Sequence, residues 1–189
     1  MHISHPWSWV PERKQGPLFL FALLLTLAVL LALQALGAPL RTDAAPAGII
    51  SYEMAGTLTA AQEILHSWGP EGRTYAGLNL GLDYLFLCAY AASIGLACIL
   101  VSRRFKPRSP LHVVGVLLSW ALVLAAALDA LENYFLICLL LGSTGGALAA
   151  LARSAALVKF PLVFLGILYA ILAGLAALLF LPREKGSAG

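Results

Sequence analysis

Leu111–Gly142 reads LHVVGVLLSWALVLAAALDALENYFLICLLLG. A bilayer core about 30 Å thick needs about 20 residues of helix, and this run exceeds that. It shows no polar–apolar alternation of period 2, so a strand of a membrane barrel is excluded. Its polar residues instead stand at Asp129, Glu132 and Asn133, spaced i, i+3 and i+4, which sets them on one stripe of a helix. An intramembrane carboxylate costs about 2.5–3.5 kcal/mol on insertion scales, so that stripe is expected to face inward, toward partners or water.

Three further apolar runs flank this one. The sequence predicts spans over 17–38, 75–102, 111–141 and 155–181, joined on one side by a loop over 41–74. The composition agrees: 61% of the 189 residues are hydrophobic and 11% charged, far from the balance of a soluble domain. Residues 1–189 are therefore expected to form a single all-α integral membrane domain, a four-transmembrane-helix bundle. A cleaved secretory signal is the competing reading of the first run, with Ala35 and Gly37 small enough to precede a cleavage site. Its apolar stretch is too long for that, since signals use about 7–15 residues.

Basic residues set the expected orientation. Arg13, Lys14, Arg103, Arg104, Lys106, Arg108, Arg183 and Lys185 fall on one side, eight of the twelve Lys and Arg. Retention of such charges in the cytoplasm places both termini there, in the cytoplasmic (plasma) membrane. Trp7 and Trp9 fit an interfacial anchor, and 186–189 a short flexible tail.

The loop over 41–74 is expected on the extracytoplasmic side. Thr59-Ala-Ala-Gln62 is a helix-start pattern, and Gly69-Pro70 a stop. Between them Ile64, Leu65 and Trp68 form an apolar side, with Glu63 and His66 opposite. This predicts a short amphipathic helix on the bilayer surface or across the bundle mouth. Pro70 and Glu71 suit the first turn of the following span.

Counting 1.5 Å per residue from the cytoplasmic ends places Asp83 roughly 27 Å up span two and Asp129 roughly 24 Å up span three. Gln34 of span one and Lys159 of span four come to a similar height. Asn79 shares a stripe with Asp83, and Phe86, Tyr90 and Tyr169 lie deeper. The expectation is an outer-leaflet pocket with an acidic mouth and an aromatic floor, its binding residues Asp83, Asp129, Glu132, Asn133, Asn79, Tyr90, Gln34 and Lys159. The bland alternative is that these polar groups only join helices, with Lys159 neutralising one acid.

Other chemistries are weakly supported. Cys88, Cys98 and Cys138 form no Cys-x-x-Cys pair and read as inert buried thiols. His66 and His112 stand apart from other ligand types, and His2 and His5 near Glu12 are weak metal ligands, so no metal or other cofactor is expected. Gly142-Ser-Thr-Gly-Gly146 lacks the Lys-Ser/Thr of a phosphate loop and reads as a turn. The dispersed net charge of +3 argues against nucleic acid. Membrane lipid is the expected surrounding, and a lipid-like or cationic small molecule the expected ligand, bound or transported. An intramembrane isomerase or hydrolase built on Glu132 and Asp83 is the enzymatic alternative. A third reading is an accessory subunit, homo- or hetero-oligomeric through the small-residue face Gly166, Ala170 and Gly174 of span four.

Overall fold

The computed structural model describes residues 4–180. They form five α-helices: α1 (Glu12–Gly37), α2 (Ile49–Glu53), α3 (Leu58–Ser102), α4 (Pro110–Leu140) and α5 (Leu148–Phe180). A 3₁₀ turn, Ala38–Leu40, follows α1. Helices α1, α3, α4 and α5 are each long and apolar enough to cross a membrane. The tail over 186–189, His2, Arg183 and Lys185 lie outside the described residues.

The ends of the helices follow from local chemistry. Ser109 accepts from the His112 amide at 3.4 Å and Pro110 occupies the first turn of α4, where its missing N–H leaves no bond unmade. Thr57 caps α3, accepting from the Ala60 amide at 3.2 Å, so that helix starts two residues before the Thr59 signal. Gly69 interrupts α3 with φ 61° and ψ −169°, a conformation that glycine adopts without a side-chain penalty. Pro70 then restarts the helix, and one element runs on to Ser102.

Helix α3 is the centre of the bundle, packing on α1, α4 and α5, while α4 and α5 pack on each other. Large apolar side chains such as Phe21, Leu31, Leu117, Phe164 and Leu178 point outward. Asn79, Ser119, Asp129, Glu132, Asn133 and Lys159 are buried. Apolar outside and polar within is the arrangement a hydrocarbon surrounding favours.

Each end of the bundle has its own closure. At one end Ile64, Leu65 and Trp68 are buried with Leu40, Tyr52, Leu136, Leu139 and Ala152. The Trp68 indole donates to the Leu40 carbonyl at 2.7 Å, and the Tyr52 hydroxyl donates to the Leu136 carbonyl at 3.0 Å. Glu63 and His66 are exposed. At the other end Arg103 donates to the Gln15 side chain at 2.8 Å and lies 3.6 Å from Glu12. Trp9 is exposed, but Trp7 turns inward and its indole donates to the Ser119 hydroxyl at 3.2 Å. Trp7 is thus a link between the amino-terminal segment and α4, where the sequence suggested an anchor like Trp9.

The small-residue face of α5 is turned into the bundle. A Cβ on Gly166 would come within 2.6 Å of Leu122 and 3.1 Å of Ile94, and one on Gly174 within 3.5 Å of Val101. These glycines let α5 approach α3 and α4 closely. The three cysteines are free, and only Cys98 is fully buried; Cys138 is half-buried and Cys88 exposed.

Candidate functional site: a lysine among carboxylates

The Lys159 side chain of α5 points into the bundle, where it meets acids from two other helices. Its ammonium donates to Asp129 Oδ1, lies 2.8 Å from Glu132 Oε2 and 3.9 Å from Glu53 Oε2. Both Asp129 oxygens have a partner: the second accepts from the Tyr90 hydroxyl at 3.0 Å. Tyr90 is held edge-on by Phe86, with ring centroids 5.4 Å apart. One turn along α4, Asn133 donates to Asp83 Oδ2 at 2.7 Å. Asp83 also lies within electrostatic reach of Asp129 and Lys159.

Glu132 differs from its neighbours. It has no exposed surface, and neither of its oxygens makes a hydrogen bond. The contact of Oε2 with Lys159 is an ion pair by distance that lacks hydrogen-bond alignment. A carboxylate so enclosed ordinarily accepts several hydrogen bonds.

Glu53 was not foreseen as a site residue. It ends the five-residue helix α2, which Gly48 initiates at φ 62° and Tyr52 pins to α4. That fastening lays the Glu53 side chain, 12% exposed, against the carboxyls of α4. The Glu53 carboxyl is pushed up to about 7, chiefly by burial and secondarily by Asp83 and Asp129, against the downward pull of Lys159. The available signal was a Tyr-Glu pair amid the small residues of the loop, but a loop's path toward α5 is not encoded by periodicity.

Of the predicted binding residues, Asp83, Tyr90, Asp129, Glu132, Asn133 and Lys159 come together. Two do not. Asn79 is buried but spends its amide on the Leu33 carbonyl at 2.9 Å, joining α3 to α1. Gln34 is exposed on the outer side of α1. Tyr169, expected in the aromatic floor, donates instead to the Leu111 carbonyl at 2.8 Å, near the opposite end of α4, and packs beside Cys98.

Three carboxyls thus meet one ammonium, and a fourth, Asp83, stands within electrostatic reach of it. Among the described residues no group of His, Cys, Asp or Glu is arranged to hold a metal ion. What the arrangement can do is exchange protons and hold an ammonium, since the carboxyls outnumber the charge available to balance them. Compared with known protein families, curated proteins and solved structures, the chain matches none.

Proposed function

We propose that the protein spans the cytoplasmic membrane four times with both termini inside, and that its acid–lysine cluster binds or transports a small or amphiphilic ammonium-type cation in exchange for protons. The observation that carries this reading is Glu132, wholly buried and without a hydrogen bond beside an ammonium that other acids already share.

The electrostatics support it. In a low-dielectric interior, Glu53, Asp83, Asp129 and Glu132 cannot all be ionised against Lys159 alone. Either protons or a second cation must make up the difference. The Lys159 side chain is itself an alkylammonium, so the cluster of acids is already complementary to that chemical class. Its flexible four-carbon stem lets the ammonium shift between Asp129 and Glu132 as a ligand enters. Proton release from a carboxyl then keeps the net charge of the interior constant. Crowding of Arg103, Arg104, Lys106 and Arg108 at the α3–α4 connection supports a cytoplasmic assignment for that end, which puts Glu53 near the opposite face.

The test is proton release on ligand addition. Octylammonium or tetraphenylphosphonium is added to lightly buffered, detergent-solubilised protein, with a pH dye as the reporter. Wild type releases protons saturably, and Glu132→Gln loses the release while its helical circular dichroism is unchanged. A flat response of folded wild type to both cations overturns the proposal and leaves the cluster as an internal brace.

A further inference from the structure

A second feature, independent of the carboxyls, lies at the same end of the bundle. A cavity of about 280 Å³ opens between the start of α3 and the end of α4. Leu65, Leu139 and Leu140 form apolar walls, while Gln62, His66, Arg73 and Ser143 supply the polar groups. No carboxylate lines it. Its charge is therefore opposite in sign to that of the lysine-centred site, from which Leu139 is separated by two turns of α4, about 10 Å from Glu132.

The guanidinium of Arg73 is held in place by the break in α3. The chain turns at Gly69, and Pro70 has no N–H to offer. Arg73 Nε reaches back across the break and donates to the Leu65 carbonyl at 2.9 Å. That bond fixes the plane of the fork and leaves the terminal Nη groups without a hydrogen-bond partner among the described residues. A planar fork with its terminal N–H groups unspent matches a phosphate or carboxylate in bidentate geometry. Beside it, apolar walls leave room for only part of a chain, since the volume is at the small end for ligand pockets.

We infer that this cavity binds the anionic headgroup of a membrane lipid, with the Arg73 guanidinium gripping the phosphate and the first part of an acyl chain lying against Leu65, Leu139 and Leu140. The height agrees with this. Arg73 precedes Asp83 by ten residues of helix, about 15 Å, which sets it at headgroup level when Asp83 is within the hydrocarbon.

The experiment is native mass spectrometry of the protein released from nanodiscs of phosphatidylcholine mixed with phosphatidylglycerol, alongside titration with inorganic phosphate. Wild type retains phosphatidylglycerol in preference to phosphatidylcholine, and Arg73→Gln lowers that retention about tenfold, with Arg73→Lys between them. Gln62→Trp, which fills the mouth from an exposed position and leaves Arg73 intact, also lowers it, so the result does not depend on one variant folding. Equal retention of the two lipids by wild type, or undiminished phosphatidylglycerol on both folded variants, overturns the inference. Inorganic phosphate binding as tightly as the lipid overturns the lipid as the occupant.

Discussion

The Tyr52 hydroxyl donates to the Leu136 carbonyl at 3.0 Å, and this bond fastens a loop residue to the helix that carries Asp129 and Glu132. Glu53, the next residue, owes its place beside Lys159 to that fastening. The loop between α1 and α3 is therefore part of the candidate site.

Tyr52→Phe removes one buried hydrogen bond and leaves the edge-on packing of the ring against Trp68 intact. A loss of about 1 kcal/mol is expected, concentrated in the loop. Hydrogen exchange over 49–58 will rise while exchange in the middle of α4 stays unchanged. Uniform destabilisation of all helices would show that the loop does not open by itself.

The docking of this loop will depend on pH through Glu53. Its carboxyl is raised from 4.5 to about 7 in the folded state, chiefly by burial. Below 4.5 it is protonated whether the loop is docked or free, and docking is strongest. As pH rises from 4.5 to about 7, the free loop ionises while the docked one holds its proton, so docking weakens, by about 3 kcal/mol at most, and then levels off. Lys159, Asp83, Asp129 and Glu132 face the same group and must be present for the comparison. In Glu53→Gln the loop's exchange protection will lose most of its slope between pH 4.5 and 7; an unchanged slope assigns the titration elsewhere.

Lys159→Met strips the counter-charge from three buried acids. Breaking one partner out of such a pair costs about 3–5 kcal/mol, whereas replacing both partners by uncharged groups is often nearly neutral. Thermal unfolding in detergent should therefore show a large loss for Lys159→Met and partial recovery when Asp129→Asn and Glu132→Gln are added. Additive losses across the three changes would mean that the charges do not act as one cluster.

Gly166→Val places methyl groups where Leu122, itself without exposed surface, already stands. About 1–3 kcal/mol of destabilisation is expected from overpacking. Gly81→Ala, which meets nothing within 4 Å, serves as the control and should be neutral or slightly stabilising. A folded Gly166→Val monomer obtained from a dimeric wild type would instead assign this face to self-association.

The long apolar runs made the helices legible, because about 20 lipid-compatible residues have few other uses. The stripe of Asp129, Glu132 and Asn133 was legible too, since helical spacing fixes which residues of one helix look the same way. Counting along each helix brings Lys159, Asp83 and Asp129 to one height, with Tyr90 a little deeper, but height says nothing of azimuth. Gln34 stands at a matching level and faces outward, and Asn79 faces inward but is consumed by a backbone carbonyl. Tyr169 failed for the complementary reason: its long side chain ends near Leu111, away from the acids. Glu53 was missed because it reaches the cluster through the path of a loop, which depends on tertiary fastening by Tyr52 and Gly48. The start of α3 moved from Thr59 to Thr57 because two threonines two residues apart offer the same cap chemistry.

Helix α1 rests on α3 and shows most of its apolar surface to the outside. Its polar stitches are few but spaced along its length: Gln15 and Glu12 to Arg103 at one end, Thr26 to Ser93 in the middle, and the Leu33 carbonyl to Asn79 toward the other end. Translation completes α1 before α3, so the first helix waits as a solitary rod until its berth is made. That berth is formed almost wholly by α3, so a polypeptide carrying α1 should complement the remaining helices when the two are expressed as separate chains.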